Sequence, residues 1–442
     1  MQIIHKITLF LCLFVAVFSW AQTEVLSKEE AIVKTLQNNY GIRISQNITE
    51  IAENNQNILN SGYLPSLTAL AGGNYNIEDI DAVLPGGEVR AIDGAKTNRY
   101  NASINLNYTL FDGMGRLYNF RQLKEEYNLS KLEARETIEN TILQMLTVYY
   151  EVARLIENVE VLEETIAISQ ERITRAQYQF DFGQTNRLGI LNAEVDVAND
   201  SIILLNTRQQ LDNAKRDLNV ILNDGEIPIG TFLVDTTITF IPKLQLEAYL
   251  DEAKFNNVSL LQAESAIAIS DYAIKVSKSG YLPTVGLNGS YGWNTANLPA
   301  TSFVQQSTVI GYAAGLSLAW DLFDGGTTIT NVKNAKVRQE NEEYLKQQII
   351  LEVNRDIANA LGNYDNKRII YEIQEKNVLT NENNFDRSQE QFKVGQITSI
   401  EFRQAQINLL NARTSKNLAK YDAKLAEIQL LQRTGQLLNV EF

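Results

Sequence analysis

The sequence runs through one pattern twice. The run SGYLP at Ser61–Pro65 returns at Ser279–Pro283, 218 residues later. LFDG at Leu110–Gly113 returns at Leu322–Gly325, and QFxxGQ at Gln179–Gln184 returns at Gln391–Gln396, both 212 residues on. Three landmarks in one order make the 442-residue chain two copies of a single unit of about 210 residues. A period this long is a duplication, not a solenoid of short repeats. Whatever the first half builds, the second half must build again.

Proline placement divides each copy. The six prolines lie at 65, 85, 228, 242, 283 and 299, so 86–227 and 300–442 contain none. An interior proline costs a helix about 3 kcal/mol, so long proline-free spans can host long helices. The first repeat, 22–223, opens on Ser27-Lys28-Glu29-Glu30, a capping-box pattern that starts a helix running to about Asn60. Strands are expected over 64–77 and 98–111, a long helix over 113–180, a tip turn, and a helix over 184–223. Residues 224–246 read as a linker with a short alternating stretch at Asp235–Phe240. The second repeat, 247–442, gives a helix, strands over 283–294 and 310–323, a long helix over 325–392, a second tip turn and a helix over 396–438. Residues 78–97 and 295–308 read as polar loops joining the strands.

The strands alternate strictly. Ala102, Ile104, Leu106, Tyr108 and Leu110 fall on one side, and Asn101, Ser103, Asn105, Asn107 and Thr109 on the other. By itself this fits either a small soluble sheet on a core or one wall of a transmembrane barrel. The helices favour the second. Each long helix would reach roughly 100 Å and needs partners along its length. Ile190, Val197, Leu204, Leu211 and Leu218 recur every seven residues, as do Ala405, Ala412, Ala419 and Ala426, which is coiled-coil spacing. Four strands cannot close, and lipid tolerates no open edge, so several chains would share one barrel.

Composition removes most alternatives. The first residues resemble a secretory signal peptide over 1–21: Lys6, an apolar run Ile7–Phe18, and small residues at Ser19 and Ala21. Cys12 and His5 are the only cysteine and histidine, and both lie inside that segment. The rest of the chain therefore has no disulfide, no thiol nucleophile, no Ser-His-Asp triad and no His/Cys metal site. Neither a catalytic residue nor a cofactor is assigned. With 53 acidic against 39 basic residues the net charge is −14, which disfavours a nucleic-acid partner. The acidic pairs Glu29-Glu30, Glu125-Glu126 and Glu163-Glu164 fall in helical sequence and read as solvated helix surface, not as a glycosidase dyad. Gly113-Met114-Gly115 reads as a strand-to-helix joint and not as a phosphate loop.

Ser61–Pro65, the run LSLAWDLFDGG at Leu316–Gly326, FKVG at Phe392–Gly395 and LQRTGQL at Leu431–Leu437 resemble outer-membrane efflux proteins of the TolC family. The resemblance covers nearly the whole chain after the signal segment. It implies an α+β membrane protein with a long α-helical coiled-coil barrel and four transmembrane strands per protomer. Three protomers would form a 12-stranded β-barrel in the outer-membrane lipid. It implies a passive exit duct, without enzymatic activity, for tripartite efflux or type I secretion. The homotrimer would work with a periplasmic adaptor and an inner-membrane transporter. Phe180, Gly183, Gln184, Phe392, Gly395 and Gln396 would form adaptor-docking tips, while Asp386, and Glu390 beside it, would narrow the tunnel. The family pattern also places an acid six residues after each tip glycine; Glu401 fits and Gly189 departs. The competing reading in another class is a non-conducting periplasmic coiled-coil scaffold, which would need no lipid-facing strands.

Overall fold

A computed structural model of the chain describes residues 25–184, 186–223, 232–299, 302 and 304–440. The signal segment 1–21 and the linker stretch 224–231 lie outside the described residues. The elements in order are β1 (Val25–Leu26), α1 (Lys28–Asn38), α2 (Tyr40–Asn55), a 3-10 turn (Ile58–Asn60), β2 (Ser66–Val83), β3 (Val89–Asp112), α3 (Gly115–Asp181) and α4 (Arg187–Leu222). There follow β4 (Leu233–Val234), α5 (Lys243–Asn256), α6 (Val258–Ser279), β5 (Thr284–Asn297), β6 (Gln306–Ala319), α7 (Thr327–Lys393) and α8 (Ser399–Arg433). The order helix, helix, strand, strand, long helix, helix occurs twice, and α3 and α7 each have 67 residues.

The compact units cut across the sequence repeats. One comprises Ile48–Lys131 and Ala263–Gln347; the other comprises Met1–Asn47, Leu132–Gln262 and Gln348–Phe442. Both halves of the chain contribute to both units, because strand pairs with strand and hairpin with hairpin.

In the strand-bearing unit, β2-β3-β5-β6 form one antiparallel sheet in that order. The join between the two repeats is the β3·β5 pair, with Ile104 opposite Tyr291. β2 and β3 are longer than expected: the loop expected at 78–97 is mostly strand, turning only at Leu84–Glu88. Asp79 explains the continuation past a bulge, since its carboxylate accepts the Gly94 N–H at 2.7 Å. β6 in turn starts early, at Gln306, and stops at Ala319, short of the expected 323. Trp320 has left the ladder and donates its indole N–H to Tyr281 O at 3.2 Å.

The helical unit has its core where α3, α4 and α8 meet. Met145, Leu146, Tyr149 and Tyr150 of α3 pack with Leu218 and Leu222 of α4 and with Tyr421, Ile428, Leu430 and Leu431 of α8. α8 is buried around most of its circumference, and all four seam alanines (405, 412, 419, 426) are buried. Alanine lets neighbouring backbones approach along that seam. On α4, Ile190, Leu204 and Leu218 are buried and Val197 and Leu211 half-buried.

The first helix does not run unbroken to Asn60. It stops at Asn39, whose backbone is extended. The Asn39 side chain accepts the Gly41 N–H at 2.9 Å and donates to Ile221 O at 2.9 Å. Asn257, 218 residues later, does the same between α5 and α6. It accepts from Leu260 N–H at 3.2 Å and donates to Arg433 O at 2.8 Å. One side chain thus caps a new helix and satisfies an orphan carbonyl at another helix end.

The linker is also corrected: α5 begins at Lys243, before its expected end. The alternating stretch 235–240 is not a strand. Its backbone groups bond to side chains: the Tyr149 hydroxyl oxygen accepts Asp235 N–H (3.0 Å), Lys420 donates to Thr236 O (3.0 Å) and Lys424 to Thr239 O (2.8 Å). Glu427 accepts Ile241 N–H at 2.9 Å. With those partners supplied, no neighbouring strand is needed. Burial pushes the Tyr149 phenol well above its ordinary value, so it stays neutral in this role.

α8 ends at Arg433 and not at 438, because Gly435 turns the chain at φ +71°. A Cβ there would stand 2.2 Å from Asn256 O. Gly435→Ala is expected to cost about 1–3 kcal/mol, visible as a lowered midpoint in thermal unfolding followed by circular dichroism. An unchanged midpoint would show that this end of the chain yields freely.

Candidate functional site

Two regions carry chemistry or shape beyond ordinary packing. They are the two tip turns with the helix ends behind them, in the helical unit, and the faces of the sheet, in the strand-bearing unit.

Both tips are built alike. Gly183 (φ +71°) and Gly395 (φ +77°) take the left-handed conformation that ends a helix. Gly183 N–H bonds to Phe180 O (2.9 Å) and Gln184 N–H to Gln179 O (2.7 Å). Gly395 N–H bonds to Phe392 O (3.1 Å) and Gln396 N–H to Gln391 O (2.8 Å). This paired bonding satisfies the last carbonyls of α3 and α7.

The tips then differ. Phe180 and Phe182 are exposed, Phe182 at 78%. Phe392 turns inward instead and stacks on Phe402 at 4.9 Å, with Phe385 on the far side of Phe402 at 5.5 Å. Gln184 and Gln396 are exposed. Thr398 and Glu401 form a reciprocal capping box: Thr398 Oγ1 accepts Glu401 N–H (3.2 Å) and the Glu401 carboxylate accepts Thr398 N–H (2.8 Å). That accounts for the acid six places after Gly395. At Gly189 none is needed, because Asn186 caps α4 alone by accepting Leu188 N–H at 3.1 Å.

The Thr398 N–H and hydroxyl hold the Glu401 carboxyl below the usual carboxylate range. Its contribution is complete above the unfolded value near ~4.3 and is lost as pH falls through the lower folded value. Thr398→Ala is expected to cost about 1 kcal/mol. Amide protection factors at the start of α8, taken relative to intrinsic exchange, should fall on acidification in the parent chain and lose that pH dependence in Glu401→Gln. An identical acid response in both would remove the cap from the account.

Behind the tips, three helices meet around charge. Arg403 of α8 makes a two-pronged contact with Asp200 of α4, at 2.8 and 2.6 Å. Ser169 of α3 donates to Asp200 at 2.8 Å, and Gln406 donates to Ser169 Oγ and Thr165 O, both at 2.9 Å. Arg172 of α3 reaches Asp196 of α4 (3.0 Å) and Ser399 Oγ of α8 (2.9 Å). Asp200 is only 1% exposed, and Ser169, Arg172 and Gln406 are also buried. Burial pulls Arg172 below its ordinary value, opposed by Asp196. Burial also works against Arg403, but Asp200 and Asp196 together outweigh it and the net shift is upward. Two cations face two carboxylates, so the cluster is balanced. Breaking one side of a buried pair costs about 3–5 kcal/mol. Nearer the tips, Arg175 donates to Phe392 O at 3.0 Å and to Lys393 O, and its guanidinium lies 4.9 Å over the Phe392 ring. A cation from the first hairpin thus closes the C-terminal end of α7.

Sequence reasoning missed these residues. A signal was present: Asp200 lies seven residues after buried Ala193, and Arg172 seven after buried Thr165, so both charges occupy core positions of heptads. The expected constriction residues lie one turn apart on α7. Asp386 is exposed on α7, and Glu390 pairs with Lys393 at 2.9 Å. Glu163 pairs with Arg208 and Glu164 with Arg413, whose guanidinium also reaches Glu382, so these acids are held in ion pairs.

In the sheet, register aligns the alternation of all four strands. Leu67, Leu106, Gly289 and Ala314 form one row; Ala69, Ile104, Tyr291 and Tyr312 the next; Ala71, Ala102, Trp293 and Ile310 the third. The opposite face carries Thr68, Asn105, Ser290 and Ala313, and then Gly72, Asn101, Asn294 and Val309. The apolar face is uncovered: Tyr312 is 89%, Leu67 71% and Leu316 70% exposed. A soluble sheet would bury that face, so the soluble reading fails. From Val285 to Trp293 the band is nine residues, the length a tilted strand needs to cross a bilayer. Among the described residues the β2 and β6 edges are unpaired. Among the described residues no helix is long and apolar enough to span a membrane, and no group of three or more acidic, histidine or cysteine side chains is placed to hold a metal.

An uncovered apolar band of membrane-crossing length, beside long paired helical hairpins, defines an outer-membrane protein of the barrel-forming channel class. A family model described as outer membrane efflux protein matches residues 31–224 and 249–436, so the chain belongs to the outer membrane efflux protein family. The outer membrane efflux protein BepC of Brucella suis is 24% identical over 412 residues, covering 92% of this chain and 85% of BepC. The outer membrane protein TolC of Salmonella enteritidis is 21% identical over 354 residues, covering 79% and 71%. Among solved structures, the Campylobacter jejuni CmeC outer membrane channel superposes with a TM-score of 0.75 at 17% identity, over 93% of this chain and 86% of that one. The protein is an outer-membrane efflux channel component, and its family is one of transport.

Proposed function

We propose that three copies of this chain assemble into one passive duct, in which four strands from each copy close a 12-stranded barrel. The observation that carries this reading is the sheet: one uncovered apolar face and two unpaired edges. Lipid tolerates neither edge, so β6 of one copy pairs with β2 of the next until the ring closes. The helical hairpins then line a periplasmic tunnel. A periplasmic adaptor docks at the turns around Gly183 and Gly395, where Phe182, Val394 and Ile400 offer exposed apolar side chains. An inner-membrane transporter supplies the energy. The scaffold alternative gives no reason for a bare apolar band. The test is fractionation with cross-linking: outer-membrane trimers are expected, and a soluble monomer would overturn the reading.

Asp386 is proposed to face the tunnel axis near its closed end. Three carboxylates around an axis attract cations. Glu390 contributes less, because Lys393 pairs with it. Asp386→Asn is expected to reduce cation preference in single-channel recordings by severalfold. An unchanged reversal potential across a salt gradient would remove Asp386 from the constriction.

A further inference from the structure

We propose that a small monovalent anion of chloride size binds behind the tips, held by the Nε–H groups of Arg172 and Arg175 where α3 meets the end of α7. The site lies within one chain, so it stands or falls independently of the trimeric duct.

The first observation is a pair of donors without acceptors. Arg172 engages Asp196 through Nη1 at 3.0 Å and Ser399 Oγ through Nη2 at 2.9 Å. Arg175 engages Phe392 O at 3.0 Å and Lys393 O, both through Nη2. In each arginine the Nε–H is buried and meets no acceptor. Arg172 is only 5% exposed. A buried donor left unpaired costs about 1–3 kcal/mol, and more on a charged group. Arg403 differs, because its Nε, though it makes no hydrogen bond, stands 3.6 Å from Asp196 Oδ1.

The second observation is space, and the third is charge. A cavity of about 30 Å³ is lined by both arginines, with Ile168, Phe392 and Phe402 as apolar walls. One chloride-sized occupant fits, while sulfate and phosphate are too large. Two donors beside apolar walls suit an acceptor that carries no proton of its own. Arg172 and Arg403 are matched by Asp196 and Asp200. Among the described residues Arg175 has no carboxylate partner, only two carbonyls and the Phe392 ring. The last carbonyls of α7 carry roughly half a negative charge, so part of the Arg175 charge stays uncompensated. At the rim, Lys393 is already paired with Glu390. Glu171, exposed at the same rim, opposes an anion and sets a limit on its affinity. A bound anion bridges α3 to α7, and because it can leave, the two helices can part without stranding a buried carboxylate.

The experiment compares anions on the purified protein in lipid nanodiscs. Amide protection in 169–178 and 388–393 is measured in sodium chloride, bromide, gluconate and sulfate at one ionic strength. Protection is expected to rise about threefold or more in chloride and bromide, to saturate with concentration, and to stay flat in gluconate and sulfate. Equal protection in all four salts would mean water or screening alone and would overturn the site. Arg175→Met should abolish the chloride response; a response that survives places the anion elsewhere and also overturns it. Should that variant fail to fold, Glu171→Gln decides, because its side chain is exposed. Removing the rim carboxylate should lower the half-saturating chloride concentration about twofold to fivefold. An unchanged or higher concentration would contradict the proposal. Crystals grown from sodium bromide should show an anomalous peak within hydrogen-bonding reach of both Nε atoms, and a map without one there would refute it.

Discussion

Replacing Asp200 with alanine is expected to destabilise the tipward ends of the hairpins by about 3–5 kcal/mol. Asp200 accepts both prongs of Arg403 and the Ser169 hydroxyl, and it is 1% exposed. Alanine would leave Arg403 with its charge buried and only Asp196, 3.6 Å from its Nε, as an ionic partner. The effect is read as lost amide protection in α4 and α8. Replacing both partners, as Asp200→Leu with Arg403→Met, should recover most of the loss, because an apolar pair removes the unpaired charge together with the salt bridge. If the double substitution is as damaging as the single one, geometric specificity and not charge balance is what the cluster supplies.

The second large effect concerns the sheet. Ala313 and Ala314 are neighbours of the same size on β6, both exposed, pointing to opposite faces. Ala314 lies mid-band in the apolar row of Leu67, Leu106 and Gly289. Ala313 lies opposite Ser290 on the polar face. Ala314→Arg should cost about 2–4 kcal/mol per chain, because it places a cation in hydrocarbon. Ala313→Arg should leave stability nearly unchanged, within about 0.5 kcal/mol, and should instead alter conductance. Both are measured by refolding into lipid bilayers with urea titration. Equal costs would mean that the two faces do not meet lipid and water separately.

Much of this architecture could be read from the sequence where one residue type does one physical task. Proline-free spans signalled the 67-residue helices, and Gly183 and Gly395 signalled the turns, because no other residue takes positive φ so freely. Alternation in 99–111 signalled both the strand and its apolar face. The breaks at Asn39 and Asn257 were not legible, because an asparagine inside amphipathic sequence is ordinary until its carboxamide meets a distant carbonyl, here Ile221 O or Arg433 O. Residues 78–97 looked like loop because of Glu78, Asp79, Asp81 and Asp93. A two-stranded ribbon needs no buried face, so polarity did not prevent pairing there. The arginine cluster was hidden for another reason. Arg172, Asp200 and Arg403 are far apart in sequence, and only the packing of three helices turns a misplaced charge in each heptad into one network.

The proposed duct is complete only as an assembly. The most direct test is single-channel recording on the purified protein in planar bilayers, paired with the mass of the conducting species. A species of three chains that gives discrete conductance steps is predicted. A monomer, or a trimer that leaves the bilayer insulating under every applied voltage, would contradict it.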